Sequence, residues 1–526
     1  MNRTTDHFAL AQSITRDVIQ AGGSAFIVGG YVRDRLMGLD SKDIDLEIFR
    51  LPQDTVETIL RQYDPDLEMV GKSFGVYKVC GLDVSLPRTE RKVANGHTGF
   101  DVTIDPFMSM EDAARRRDFT CNTMFLDPLS EGAVFDFLEG RISMERKRLD
   151  IVNSAAFAED PLRILRAAQH CARFLFTPDV VLVKYAKASI GQIRELPAER
   201  LYEEWVKLLV KGRKPSWGMA LLSEIGAYPI LFPEIAALQG VQQEPEYHGE
   251  GDVLTHTLMA LDEAVALRTG DEAHDLTLMF AVLCHDFGKA TTTEYIGGRT
   301  EATKTIKRWR SYGHDDAGVS LTLTFLQRLN APIWLTKAVC ALVQHHLAPC
   351  LFVEGTSDKS YRRLARMLDE AGTTMRMLYE VAQADHFGRI SPDAQARRFP
   401  DGERFLQRAE ALEVVERPEP DVVMGRHLIA RGMTPGPEFG VILKRCREIQ
   451  ETTGLKDVEA ILKEAWQMTV IDPDICYCCC KNLCCTTLFM CFADGGHVHY
   501  SHLPCPNRGI AEDAKETVHH DSPHSN

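Results

Sequence analysis

The chain has 526 residues, more than one hydrophobic core usually organises, so three or four domains are expected. Its apolar fraction of 44% is that of a globular protein. With no apolar run of about eighteen residues and no secretory signal within Met1–Gln20, neither a membrane span nor secretion is predicted, and a cytoplasmic location follows. A formal net charge of −15 argues against a generic nucleic-acid coat.

A local basic track can still serve a polynucleotide. Arg115-Arg116-Arg117 is one candidate, and Arg146-Lys147-Arg148 is another that a plain solvated surface explains equally well. Seven of the 15 cysteines are scattered as in a reduced cytosolic protein: Cys80, Cys121, Cys171, Cys284, Cys340, Cys350 and Cys446. The rest crowd into Cys476–Cys505.

In chain order, Met1–Gln20 has the spacing of an amphipathic helix. Ala25–Val28 reads as a buried strand ending in Gly29-Gly30, where backbone amides can approach an anion. Tyr31–Gly38 reads as a short helix carrying Arg33 and Asp34. The next strand alternates Ile44, Leu46 and Ile48 with Asp43, Asp45 and Glu47. Two carboxylates one strand period apart, beside a glycine turn, suit Mg²⁺ held against a triphosphate. This ordered set resembles the signature of polymerase-beta-like nucleotidyltransferases, and in detail the bacterial tRNA nucleotidyltransferases (CCA-adding enzymes) and their poly(A) polymerase relatives. The resemblance implies that Asp43 and Asp45 are the catalytic, metal-binding carboxylates and that Gly29, Gly30 and Arg33 belong to the nucleotide site.

Asp54–Tyr63 reads as a helix, and Phe74–Cys80 and Leu82–Leu86 as strands. Asp83 is a candidate third carboxylate, with a surface or turn role equally open. Pro87–Asp112 reads as a long mobile connection. In the resembling family a flexible loop here helps the switch to adding A. Ala114–Asp127, ARRRDFTCNTMFLD, then brings adjacent arginines next to Asp and Asn. Guanidinium groups can grip phosphate oxygens, and Asp and Asn can bind ribose hydroxyls. Since the family has Arg-Arg-Asp-Phe-Thr here, Arg117, Asp118 and Asn122 are assigned to nucleotide and sugar contacts. Phe119 and Met124 are expected in the core.

Glu159-Asp160-Pro161-Leu162-Arg163-Ile164-Leu165-Arg166 reads as a helix capped by Asp160, with Asp160 and Arg163 on one face. A carboxylate beside a guanidinium mirrors the donor and acceptor edge that cytosine and adenine share, and guanine and uracil invert that edge. A capped helix with solvent-facing arginines is the plain alternative. The resembling family's base-reading motif has this Glu-Asp-x-x-Arg form, which implies that Asp160 and Arg163 select CTP and ATP and that Arg166 faces the triphosphate. Leu196–Val210 reads as an amphipathic packing helix.

Ile235–His248 reads as a linker. Beyond it, His256, His285-Asp286, His314, His345-His346 and Asp385 fall in helix-like stretches. Imidazoles and carboxylates from separate helices can converge on a divalent metal that activates water for phosphoester hydrolysis. The set resembles the HD phosphohydrolase domain of some bacterial tRNA nucleotidyltransferases, which implies a site of His256, His285, Asp286 and Asp385 holding a transition metal such as Ni, Mn or Co. Lys289 is a candidate phosphate contact. His314 and His345 line the same pocket or play structural roles. Tyr361–Leu378, Phe405–Val415 and part of His427–Gln450 read as helices.

The expected architecture is α+β: a nucleotidyltransferase head with a mixed sheet (residues 1–150), then an all-α neck (151–235), HD domain (236–395) and C-terminal helices (396–470). Residues 471–526 form a Cys-rich tail, expected to be disordered, whose crowded cysteines lack paired zinc spacing. The implied function is template-independent CCA addition to tRNA from CTP and ATP with Mg²⁺, plus a metal-dependent 2′,3′-cyclic phosphodiesterase or phosphatase, by a monomer or homodimer. The alternatives are an A-adding enzyme or poly(A) polymerase, and an HD-type nucleotide phosphohydrolase with a nucleotide-binding head.

Overall fold

The computed structural model describes residues 6–41, 43–70, 76–92, 100–130, 132–299, 305–467, 488–492 and 498–502. The chain divides into two compact units, one made of residues 1–356 and 364–417 and the other of 357–363 and 418–526.

The first unit begins with the helix His7–Gln20, capped by Asp6, whose carboxylate accepts from the amides of Phe8 and Ala9. Next come β1 (Ser24–Val28), the helix Gly30–Leu36, β2 (Asp45–Phe49), the helix Gln53–Leu60, β3 (Glu68–Val70), β4 (Val76–Val79) and β5 (Leu82–Ser85). β6 (Arg88–Lys92), β7 (Phe100–Ile104), β8 (Phe125–Leu126) and β9 (Val134–Phe135) complete the head. The main sheet has seven strands in the order β3-β4-β5-β2-β1-β8-β9, antiparallel except where β2 pairs parallel with β5.

Strand alternation turns Ile27, Leu46, Ile48 and Val84 into one core with Ile14 and Val18 of the first helix and Val56 and Leu60 of the helix after β2. Each buried Val or Ile contributes roughly 1.5–3 kcal/mol relative to exposure. A second cluster gathers Val28, Phe49, Ala113, Ala114 and Phe125.

Pro87–Asp112 is not one long mobile connection. β6 and β7 pair antiparallel from Arg88↔Ile104 to Lys92↔Phe100, and Ser109 caps the helix Met110–Arg115. The polar character of RTERK hid a strand whose ladder is held by backbone hydrogen bonds and needs no apolar face. Residues 93–99, most of the VANGHTGF stretch, lie outside the described residues.

The helical part of this unit follows. Leu162–Phe174, apolar along one face, packs against Ala198–Lys211 and Pro215–Glu224. Glu272–Cys284 is buried from Asp275 to Cys284 and lies against Val253–Ala264, Ile333–His345 and Met375–Phe387. A two-stranded ribbon, Thr293–Arg299 with Thr305–Ser311, interrupts what was expected to be an all-helical region. Tyr361–Leu378 is not one helix. Asp358–Glu370 ends before Gly372, whose φ of +80° suits glycine, and Met375–Phe387 starts anew on a Thr374 cap.

In the second unit, Gly425–Ile429, Pro437–Thr453 and Val458–Gln467 enclose Val423, Leu428, Cys446, Ile449, Ile461 and Leu462. Leu488–Phe492 pairs antiparallel with Val498–His502, within the tail expected to be disordered. The remainder of the Cys-rich tail lies outside the described residues.

Candidate active sites

The head site grows from the ends of β1, β2 and β5. Gly29 closes β1 with a φ of +72°. A Cβ there would lie 3.2 Å from Arg117 Nη1 and 3.6 Å from Asp45 Oδ2, so glycine lets both side chains approach the backbone. Asp45 opens β2 and stands directly opposite Asp83 of β5. Asp43 lies exposed just before the strand. Burial pushes Asp45 up to about 6; Arg117 opposes this, and Asp83, Asp43 and Glu47 add to it. Such crowding of carboxylates fits a divalent cation, which would relieve it. The sequence left Asp83 open, and the register puts it beside the pair; it also lies 3.5 Å from Lys78. Glu47, read as one of an acidic face, is buried and lies 3.0 Å from Arg117.

A cleft of about 650 Å³ opens here, and its walls include Asp45, Asp83, Arg117, Asp160 and Arg163. Arg115 and Arg116 line it too, whereas Arg146, Lys147 and Arg148 lie exposed elsewhere. One Asp160 oxygen accepts from the amide of Leu162, the first residue of the helix, at 3.1 Å, although Pro161 is the residue at the cap position; the other lies 3.7 Å from Arg200. Arg163 donates through Nη2 to the Arg116 carbonyl at 3.4 Å, and its Nη1 is buried with no hydrogen-bond partner. The helix thus brings the two expected base-reading residues to one cavity.

Arg33, Asp118, Asn122 and Arg166 are not among the cleft's walls. They hold one another. Arg166 donates from Nε to Asp118 at 2.7 Å. The other Asp118 oxygen accepts from the Phe119 amide and from Asn122. Arg33 donates to Asp34 at 2.6 Å and to Asn122 Oδ1 at 2.6 Å, and its guanidinium lies 4.2 Å from the centre of the Phe174 ring. His170 donates from Nδ1 to the Arg166 carbonyl, leaving Nε2 to accept from Arg33 and Asn122. Burial, with Arg33 beside it, holds His170 well below its ordinary range. Adjacent charges in sequence can satisfy each other as readily as a ligand, which spacing alone does not reveal. Phe119 and Met124 are fully buried, as expected.

The second site lies where four helices bring their ends and faces together. His256 is on Val253–Ala264, His285 and Asp286 follow Glu272–Cys284, His314 begins His314–Arg328, and Asp385 is on Met375–Phe387. His256 Nε2 lies 2.9 Å from Asp385 Oδ1, and His285 Nε2 lies 3.2 Å from Asp286 Oδ2. The four residues are buried. Burial would raise Asp286, but His285 and Lys289 outweigh it and hold the carboxyl well below its usual range. Arg389 and His256 do the same for Asp385. His285 Nε2 is buried without a hydrogen-bond partner, and His256, His285 and Asp385 present ligand atoms within 4.8 Å of one another. This donor set fits a divalent transition metal.

Lys289 lies 2.8 Å from Asp286 and donates to Gln243 at 2.9 Å. His314 is at the site, but the second imidazole there is His346, not His345. His345, one residue back, turns to the side of Asp315 and Asp316. The stretch Ile235–His248 is more than a linker. Its Gln243 meets Lys289 and its Glu244 accepts from the Trp309 amide. His248 lies 2.8 Å from Glu250, whose buried carboxylate is also 2.9 Å from His256 Nδ1. Glu250 and His248 were missed, although their nearness to His256 in sequence was a usable signal.

Residues 25–150 match the poly A polymerase head domain, residues 176–239 the probable RNA and SrmB-binding site of polymerase A, and residues 253–373 the HD domain. The chain is 33% identical over 437 residues to the multifunctional CCA protein of Methylococcus capsulatus, covering 80% of this chain and 93% of the relative. It is 36% identical over 314 residues to that of Pasteurella multocida, covering 58% and 70%. Its fold is similar to the Bacillus stearothermophilus CCA-adding enzyme solved with CTP (TM-score 0.58, 20% identity, 89% of this chain and 98% of that one). It is also similar to the Thermotoga maritima CCA-adding enzyme solved with tRNA (TM-score 0.51, 16% identity, 88% and 95%). Among the described residues no helix is long and apolar enough to cross a membrane. With an acid-lined head, a helical neck and a buried His/Asp cluster all accounted for, the chain belongs to the bacterial CCA-adding enzymes, nucleotidyltransferases that here carry an HD domain.

Proposed function

We propose that this enzyme adds C, C and A, from CTP and ATP, to the 3′ end of tRNA without a nucleic-acid template. One observation carries the reading: Asp45 and Asp83 stand in register in a cleft shared with Asp160, Arg163 and Arg117. Asp43 and Asp45 are the residues that would hold Mg²⁺, with Asp83 beside them. When bound, that ion would supply charge neutralisation as the RNA 3′-hydroxyl bonds to the α-phosphorus and the α–β phosphoanhydride bond breaks, releasing pyrophosphate. Arg117 and its neighbours hold phosphate oxygens, and Asp160 and Arg163 read the base edge. Gly29 and Gly30 keep the strand end open, while Arg33, Asp118, Asn122 and Arg166 position neck against head. Catalysis then rests on placement and electrostatics. Residues 1–150 serve as head, 151–235 as neck, 236–395 as HD domain and 396–470 as C-terminal helices. The enzyme works in the cytoplasm as a monomer or homodimer.

The test is extension of tRNA lacking its 3′ end with CTP, ATP and Mg²⁺, followed by sequencing. CCA products from the parent and none from Asp45→Asn are expected. A-only products would turn the reading to an A-adding enzyme, long A tails to a poly(A) polymerase, and no extension to a phosphohydrolase with a nucleotide-binding head.

The second site supports a metal-dependent phosphohydrolase acting on 2′,3′-cyclic phosphates. His256, His285, Asp286 and Asp385 would hold an ion such as Ni, Mn or Co, which supplies an activated water when bound. Lys289 lies where it can meet a phosphate oxygen. Asp286→Ala should abolish cyclic-phosphate hydrolysis and leave CCA addition intact; retained hydrolysis would remove the assignment.

A further inference from the structure

The ribbon of Thr293–Arg299 with Thr305–Ser311 joins the HD site at both ends. At one end Thr293 Oγ1 donates to the Lys289 carbonyl at 2.7 Å, and Lys289 Nζ lies 2.8 Å from Asp286. At the other, the Ser311 carbonyl accepts from His314 Nδ1 at 2.7 Å, and His314 Nε2 lies 3.4 Å from Asp286 Oδ1. Farther along, the Trp309 amide donates to Glu244, while Gln243 next to it accepts from Lys289. Consecutive Cα atoms are about 3.8 Å apart, so Trp309 is held close to the site.

The ribbon carries aromatic rings and positive charge. Tyr295 stands opposite Trp309 with ring centres 4.9 Å apart, a cross-strand pair that steadies an otherwise marginal two-stranded element. Yet Tyr295 is 53% exposed, and Tyr312, two residues before His314, is 75% exposed. Lys304, Lys307, Arg308 and Arg310 fall close together in a chain whose net charge is −15. Arg308 meets Glu246 at 2.6 Å in a surface ion pair, which a phosphate opens at little cost. Tyrosine rings among basic residues suit unpaired bases strung on a phosphate backbone.

We propose that this ribbon is a stacking platform for single-stranded RNA, and that it guides an RNA end carrying a 2′,3′-cyclic phosphate into the HD site. The proposal rests on the phosphohydrolase reading of that site and names a polynucleotide as its substrate class. A 2′,3′-cyclic phosphate requires the ribose 2′-hydroxyl, so the strand is RNA. Tyr312, nearest His314 in the chain, meets the terminal base, and Tyr295 meets a base farther back. In the reaction a water oxygen bonds to phosphorus, one ribose P–O bond breaks, and the freed ribose oxygen takes the proton that water gives up. The ribbon takes no part in that step; it raises the occupancy of the RNA end.

The test measures kcat/KM of the full chain, without CTP or ATP, on 2′,3′-cyclic AMP and on a hexa-adenylate ending in a 2′,3′-cyclic phosphate. Mn²⁺, Co²⁺ and Ni²⁺ are each supplied in turn. The hexamer is expected to be the better substrate by about 10-fold or more. That ratio should fall several-fold in Tyr312→Ala and in Tyr295→Ala, and persist in Tyr312→Phe and Tyr295→Phe, which keep the ring. Tyr312 lies at the surface, so its variants decide even if Tyr295→Ala loses the ribbon. Equal values for the two substrates, or a preference that both alanine variants keep, overturns the platform and leaves the phosphohydrolase reading standing. Hydrolysis of neither substrate removes that reading and this proposal together.

Discussion

Asp118 and Arg166 tie the neck to the head: the carboxylate accepts from Arg166 Nε at 2.7 Å and lies 2.6 Å from its Nη2. Burial would raise Asp118, but the Arg166 charge and the hydrogen bonds from Asn122 and Arg166 outweigh it and keep the carboxyl well below the ordinary range. A depressed carboxylate gives stability that is present above its unfolded pKa, about 4, and lost as pH falls toward the folded value. Asp118→Ala should lower stability by roughly 2–3 kcal/mol at pH 7, less than for a fully buried pair because Arg166 reaches solvent. The deficit should shrink on acidification below pH ~4. Urea unfolding of the parent, both single variants and the Arg166→Ala double variant across pH measures it; additive losses would rule the coupling out.

Asp45 carries the opposite sign. Its pKa is pushed up to about 6, so its contribution favours the fold at low pH and is lost as pH rises through that value. Without divalent ions, Asp45→Asn should therefore raise the melting temperature at pH 7.5 and change it little below pH ~4. Adding Mg²⁺ should reverse the order at pH 7.5. Calorimetry under the three conditions checks this, and a pH-independent difference would contradict it.

The proposed function makes Arg163 the residue on which base choice turns. Arg163→Ala should cut CTP and ATP incorporation about 10²-fold or more, while UTP and GTP incorporation changes little. Single-turnover assays with each of the four nucleotides measure the ratio. Unchanged selectivity would refute the role.

Glu250 supports the HD site from behind. Its carboxylate lies 2.9 Å from His256 Nδ1, and a buried partner of this kind orients an imidazole ligand. Glu250→Ala should weaken Mn²⁺ binding at the HD site about 10–100-fold. Glu250→Gln should recover part of the loss. Calorimetric titration of the chain carrying Asp43→Asn and Asp45→Asn gives the affinities, and an unchanged constant would exclude the role.

How far the sequence could be read follows from where each interaction lies. Asp43, Asp45, Asp160 and Arg163 announced themselves because a strand period or a helical turn puts each pair together locally. Asp83 stayed open, since its place opposite Asp45 depends on a strand pairing that no spacing encodes. Arg33, Asp118 and Arg166 were legible as a charged set but not as one another's partners. The choice of His346 over His345 turns on where the helix Ile333–His345 ends, which is the least legible feature of a helix. β6 was hidden because RTERK carries strand hydrogen bonds without an apolar stripe, whereas the alternation of Phe100, Val102 and Ile104 in β7 was a usable signal.

β2 and β5 run in the same direction, and that has a cost in chain length. The polypeptide must leave Phe49, wind through Gln53–Leu60 and the β3–β4 pair, and come back before Asp83 can join Asp45. The acidic trio is therefore a product of a completed crossover rather than of a local turn. Lengthening or shortening the passage between Arg61 and Gly75 would draw Asp83 away from Asp45 with every acidic side chain still in place.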